Sequence, residues 1–169
     1  MGLPKKLKNF VVFENGTDYR GEVPEITLPT LARKMEEYRS GGMNGPVELD
    51  FGMEVLEAEI KAAGWFKGML ESWGVGRHDA QLLRFAGAVQ SDDTGEVEAV
   101  EVVMRGRFKE IDHGSAKAGE ATEHTYKMAV SYYKLTIDGA QLIEIDFANM
   151  IEKVNGEDRL AAIRAALGI

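Results

Sequence analysis

The sequence predicts a mainly β chain carrying one short interior helix and a second helix at its C-terminus. Three observations carry that expectation. Apolar and polar residues alternate with period two through most of the chain, as in Val47, Leu49, Phe51 and Met53 against Glu48, Asp50, Gly52 and Glu54. Turn pairs such as Asn15-Gly16 and Asp138-Gly139 punctuate these runs and supply the positive φ that two-residue hairpin loops require. The period changes to i, i+3, i+4, i+7 at Phe66, Met69, Leu70 and Trp73, and a helical stripe returns at Leu160, Ile163 and Leu167.

Taken in order, Phe10 to Phe13 followed by Asn15-Gly16 and Tyr19 reads as a hairpin. Pro24 and Pro29 bracket Glu25 to Leu28, an edge or bent strand, because proline cannot donate to a ladder. Leu31 to Tyr38 has helical propensity, but the prolines before it and Gly41-Gly42 after it favour a strand. Val47 to Glu54 reads as a half-buried strand, and from Leu56 the alternation resumes with Ala58, Ile60 and Ala62 against Glu57, Glu59 and Lys61. The change of parity between Met53 and Leu56 calls for a bulge or a loop between two strands.

The second half is strand-rich. Gln81 to Gln90 leads through the turn Ser91 to Gly95 into Val97 to Ile111, with Gly106 marking a bulge. A polar loop, Asp112 to Glu120, precedes Thr122 to Ile137, with Tyr126, Met128, Val130 and Tyr132 on one face and Ala129, Tyr133, Leu135 and Ile137 on the other. Fifteen extended residues span ~50 Å, several times a usual strand. Such strands curl into a barrel or project from the domain. A strand apolar on both faces also needs cover on the second face, from the domain's own helix or from another copy. Near the C-terminus, Asn155 is placed to cap a short docking helix with Asp158 reaching back.

With 169 residues the chain suits a single domain, 1–169, and no internal repeat or linker interrupts it. The absence of cysteine removes disulfides, thiolate chemistry and cysteine metal sites. The apolar run near the start is too short for a signal-peptide core or a membrane span, so a cytosol-like compartment and no membrane anchor are expected. A net charge of −8 argues against broad nucleic-acid affinity, which depends on cations displacing counterions at phosphates.

The stretch Thr27 to Lys61 holds the densest charge. Glu48, Asp50, Glu54, Glu57 and Glu59 fall within twelve residues that contain no Lys or Arg. Two carboxylates two apart on a strand face sit ~7 Å from one another, a separation compatible with acid–base chemistry. No aromatic platform accompanies them, and a solvated acidic face is the plainer reading. His78, His113 and His124 form none of the usual metal spacings. A metal beside Glu110 and Glu123 at the Asp112–Glu120 loop is conceivable, but strand-end histidines are far more often solvated. No nucleophile elbow or phosphate cradle is present; Ser40 to Gly45 has glycines but leads into Pro46 and a strand. No catalytic, metal or cofactor residues are therefore assigned. Arg105, Arg107 and Lys109 are expected to pair with acids across strands.

The segments TLPTLARKMEEYRSGGMNGPVELDFGMEVLEAEI, LRFAGAVQSDDTGEVEAVEVVMRGRFKEIDHGSAKAGE, HTYKMAVSYYKLTIDGAQLIEID and VNGEDRLAAIRAALGI resemble the major tail tube proteins of contractile-tailed bacteriophages and R-type tailocins. The resemblance extends from LPKKLKN to ALGI, nearly the whole chain. It implies a tail-tube-type β-sandwich or barrel with a short flanking helix and a C-terminal helix. It further implies that six copies form a ring whose sheets join into an inner barrel, and that rings stack into a hollow tube inside a contractile sheath. Sheath, baseplate, tape-measure and tail terminator proteins would be the partners. DNA would cross the lumen without specific binding, in a virion or tailocin tail assembled in the host cytoplasm.

The resemblance implies that the loop around the glycine-rich break contacts the neighbouring ring. Ser40, Gly41, Gly42, Met43, Asn44, Gly45, Glu48 and Asp50 are thus candidate stacking residues, and Glu57 and Glu59 candidate lumen-facing ones. An acidic chain suits a bore through which a polyanion slides. The alternatives are a type VI secretion-like tube protein and a small-ligand-binding β-barrel.

Overall fold

Three dipeptides set the local geometry of a computed structural model that describes residues 2–169. Asn15-Gly16 (φ 48° and 84°), Asp138-Gly139 (49° and 82°) and Asn155-Gly156 (52° and 80°) all have both residues at positive φ, as type I′ hairpin turns require. The first joins β1 (Lys6–Glu14) to β2 (Thr17–Asp18). The second joins β9 (His124–Ile137) to β10 (Ala140–Asp146), and the third joins β11 (Ile151–Val154) to β12 (Glu157–Asp158). Asn155 is therefore a turn residue and not a helix cap: α2 (Ala161–Leu167) starts after Leu160 with no side-chain cap.

The remaining strands are β3 (Glu25–Thr27), β4 (Arg33–Tyr38), β5 (Val47–Met53), β6 (Leu56–Ala62), β7 (Gln81–Gln90) and β8 (Val97–Asp112), with α1 at Lys67–Glu71. Ten strands form one antiparallel sheet in the order β12-β11-β10-β9-β8-β7-β1-β2, with β6 also on β9 and β3 on β6. From β2 to β3 is six strand steps, ~29 Å on a flat sheet at ~4.8 Å per step. Only Tyr19 to Pro24 bridge them, yet the Tyr19 ring meets Phe66 with centroids 4.6 Å apart and Ala63 N–H donates to the Glu22 carbonyl at 3.0 Å. The sheet thus folds over on its own core, sandwich-like, without closing into a barrel. The mainly β, sandwich-type expectation holds.

β9 corrects one premise. Its pairing with β8 runs Met104↔Tyr133 and Arg105↔Tyr132 but then Gly106↔Val130, which leaves Ser131 as an extra residue on β9. This bulge restores parity, so Tyr126, Met128, Val130, Tyr133, Leu135 and Ile137 all share the core face. Tyr132 turns away and donates its hydroxyl to Glu144 at 2.7 Å. The strand is not apolar on both faces, and its length is absorbed because one edge takes β6 along 124–130 and β10 along 132–137. Gly106, expected at a bulge, lies where a Cβ would come 2.0 Å from the Ala129 carbonyl oxygen.

β6 behaves as its alternation predicts, with Leu56, Ala58, Ile60 and Ala62 fully buried. β5, two residues earlier and patterned alike, does not. It pairs only with β4 in a separate two-stranded ribbon, and Val47 to Phe51 are exposed on both faces. Within α1 and its flanks, Phe66 and Met69 are buried, whereas Trp73 is exposed.

Candidate assembly interface

The β4–β5 ribbon is exposed along both of its strands. β4, Arg-Lys-Met-Glu-Glu-Tyr, has no apolar face of its own and is exposed at every residue. The register Tyr38↔Val47 and Glu36↔Leu49 puts Tyr38, Val47 and Leu49 on one face, where the alternation along β5 adds Phe51. All four are exposed large apolar side chains, which monomers rarely gather in one place. The other face carries Met35, Glu37, Glu48 and Asp50. Ser40 to Gly45 form the tip, where Met43 N–H donates to the Ser40 carbonyl at 3.2 Å and Gly42 takes φ 85°. The six predicted tip residues and Glu48 and Asp50 are thus on one ribbon and its connecting loop.

Arg33 fixes the ribbon's base by pairing with Asp50 on β5 and Glu152 on β11. A bulge at Phe51-Gly52 (Gly52 φ 105°) turns the Gly52 N–H onto the Asp50 carboxylate at 2.8 Å. That bond, and then Arg33, hold the Asp50 carboxyl below its usual pKa. Between ribbon and sheet lies an open groove of about 520 Å³ lined by Met53, Val55, Phe147, Met150, Ile151 and Leu160 among others. α2 adds to the exposed apolar surface. Its expected docking stripe is not docked: no α2 residue is buried, and Ile163 and Leu167 are exposed. Arg164 anchors the helix by donating to the Met150 carbonyl at 2.7 Å and pairing with Asp158.

Glu57 and Glu59 lie on the sheet face opposite the core, across from Ala129 and Lys127. They are not uncompensated. Lys109 pairs with Glu57, and Lys61 lies 3.5 Å from Glu59. Lys127, opposite Glu59, also reaches Glu110 at 3.7 Å. Arg84 pairs with Glu101 at 2.9 Å on the same face and stacks over the Phe13 ring at 5.0 Å. The expectation that β8 bases pair with acids is met by Lys109. Arg107 instead donates to the Gly76 carbonyl at 3.1 Å.

Two clusters gave no signal in the sequence. Glu14 is buried beside Tyr19, whose hydroxyl it accepts, and Asn15 Nδ2 donates to it at 2.9 Å. Burial pushes the Glu14 carboxyl up, and burial together with the Glu14 charge pushes Tyr19 up to about 12. Gly68 on α1 allows this pair its place, since a Cβ there would stand 3.2 Å from the Tyr19 hydroxyl. Arg33 is the other omission. Its partners are 17 and 119 residues away, and no local pattern announces them.

The profile of the phage tail tube protein FII family matches residues 4–168. Over 172 aligned residues the chain is 48% identical to the tail tube protein of Escherichia phage P2, covering 100% of both chains. It is 41% identical to the major tail tube protein of Serratia phage KSP20, covering 100% of this chain and 99% of that one. Among solved structures, the fold is similar to a chain of the PVC sheath-tube complex of an extracellular contractile injection system in its extended state. The TM-score is 0.58 at 9% identity, covering 79% of this chain and 90% of that one. A chain of the PVC sheath/tube terminator gives TM-score 0.57 at 9% identity, with coverages of 80% and 96%. At 9% identity these two show the fold alone. The full-length match at 48% identity shows the family: this chain belongs to the phage tail tube proteins of the FII family.

Proposed function

We propose that the chain, acting over 1–169 as one tail tube domain, is a structural subunit of a contractile tail and has no catalytic role. Six copies form a ring, and rings stack into a hollow tube that conducts DNA or punctures an envelope. Sheath and baseplate, tape-measure and terminator proteins are its partners, in a virion tail assembled in the host cytoplasm. The observation that carries this reading is the β4–β5 ribbon, whose Tyr38, Val47, Leu49 and Phe51 are exposed, with no cover among the described residues. An element with neither core nor cover is explained by a neighbouring copy that supplies both, and head-to-tail contacts of this kind generate filaments.

Within that tube the tip Ser40–Gly45, with Glu48 and Asp50, contacts the adjacent ring, and the face bearing Glu57 and Glu59 lines the bore. Negative-stain microscopy of the purified chain tests the assembly: hollow rods or rings of constant bore are expected, and monomers alone at high concentration would overturn it. Deleting Gly41 to Gly45 should shorten rods while sparing rings. Changing Glu57 and Glu59 to Lys should leave rods intact and slow DNA release; shortened rods would instead place the two residues at an interface.

A further inference from the structure

A pair of ligand-type side chains outside the assembly surfaces lies where β8 leaves the sheet and β9 enters it. His113 Nδ1 and His124 Nδ1 are 3.3 Å apart, although the two residues are eleven positions apart in the chain. Gly114 makes the approach possible: at φ 64° its Cα passes so close to β9 that a Cβ would stand 2.5 Å from the Glu123 carbonyl oxygen. Asp112 holds the same turn by accepting the Gly114 N–H at 2.8 Å. His124 is 2% exposed and locked in the ladder opposite Ala62. Trp65 stacks on His113 with centroids 4.4 Å apart and meets His124 edge-on at 4.8 Å, so both rings are held. Among the described residues, each Nδ1 has only the other as its hydrogen-bonding partner.

We propose that this pair is a binding site for a borderline divalent transition-metal ion, Zn²⁺ being the probe of choice. Two nitrogens bound at about 2.0–2.1 Å with a tetrahedral angle between them lie about 3.3–3.4 Å apart, which is the spacing found here. Imidazole suits zinc, nickel and copper and not magnesium or calcium. In the metal-free pair one Nδ1–H donates to the lone pair of the other. On binding, that proton moves to Nε2 of its own ring, both Nδ1 lone pairs go to the metal, and no net proton is released from two neutral rings. His113 is exposed, so water fills the remaining positions. The ion ties together the two ends of the segment 114–123, which is otherwise an exposed loop without strand or helix. Nothing in this depends on the tube reading.

Isothermal titration of the full chain with ZnCl₂ in a non-chelating buffer tests the site. One Zn²⁺ per chain is expected, together with slower amide exchange in 114–123. His113→Ala, a change at an exposed position, should weaken binding by more than about tenfold, or 1.4 kcal/mol. His78→Ala should leave the affinity unchanged. His78 is the remaining histidine, and its Nδ1 is engaged with Ser131 Oγ at 2.8 Å. Equal affinity in wild type and His113→Ala would overturn the proposal, as would the absence of saturable binding to wild type.

Discussion

Gly106→Ala is the sharpest test of the bulge that sets the faces of β9. The added Cβ would lie 2.0 Å from the Ala129 carbonyl oxygen and 2.9 Å from its carbon, against 3.4 Å or more in ordinary contact. The obstacle is backbone in the centre of the sheet, so β9 must retreat by more than ~1 Å, and the ladder around Gly106↔Val130 strains with it. The expected cost is about 3 kcal/mol, the upper end of overpacking, out of a typical 5–15 kcal/mol for a domain. Gly87→Ala is the matched control. Its Cβ would meet Phe85 at 2.9 Å and Leu7 at 3.0 Å; these are side-chain and not backbone atoms, and although the Phe85 ring is buried, Leu7 is 50% exposed and can move. A cost of about 1 kcal/mol or less is expected there, partly offset by the stiffer unfolded chain. Urea unfolding followed by circular dichroism, at one protein concentration so that assembly does not shift the midpoint, gives both values. Equal losses in the two variants would refute the close approach of Ala129, and with it the bulge at Ser131.

Glu14→Gln should stabilise the chain at pH 8 and make little difference at pH 4, read as denaturation midpoints. Burial raises the Glu14 carboxyl above its ordinary 4.5. The unfolded state then loses its proton first, and the contribution of this group is largest at low pH and is lost as pH rises through the raised native value. A destabilising effect at pH 8 would show that the ionised carboxylate is needed by Tyr19 and Asn15. Arg33→Ala should change global stability by less than about 1 kcal/mol, since its side chain and that of Asp50 are partly exposed, at 36% and 41%. It should nonetheless speed amide exchange across β4 and β5; unchanged exchange would mean that the ribbon is held by something else.

Period two is legible wherever the apolar face is covered by this chain. β6 reads correctly because burial there is local and consistent. β5 carries the same alternation as β6, yet its Val47, Leu49 and Phe51 are exposed. Alternation reports that a strand has one apolar face but not whether this chain covers it, so a ribbon and a core strand look alike. The hint lies in β4, whose Arg33 to Tyr38 offers no apolar stripe to complete a buried face. β9 misleads for another reason. Tyr132 and Tyr133 are adjacent aromatics, either of which fits the inward position, and the serine that shifts the parity has no distinctive signature. The period of the C-terminal helix reveals its existence but neither its cap nor its docking: Asn155-Gly156 is equally a hairpin turn, and Ile163 and Leu167 are exposed.

The acidic run 48–59 looks uncompensated when charge is counted along the chain, whereas strands exchange partners across it. Asp50 finds Arg33, Glu57 finds Lys109 and Glu59 finds Lys61. Glu48 and Glu54 find none among the described residues; Glu48 stands directly opposite Glu37, which also lacks an ion-pair partner there. Like charges in that position oppose the ribbon by a few tenths of a kcal/mol up to about 1 kcal/mol. A ribbon without a core has little to set against this cost, and under the ring stacking proposed above a cation of a neighbouring copy would serve as counterion. Glu48→Lys separates the two effects. In the free chain it replaces the repulsion with an ion pair between Glu37 and the introduced ammonium, and it should slow amide exchange in β4 and β5. In the assembled state it should shorten rods, because the incoming cation now meets a like charge. Rods of wild-type length beside the slower exchange would mean that Glu48 faces solvent, and would remove it from the stacking surface.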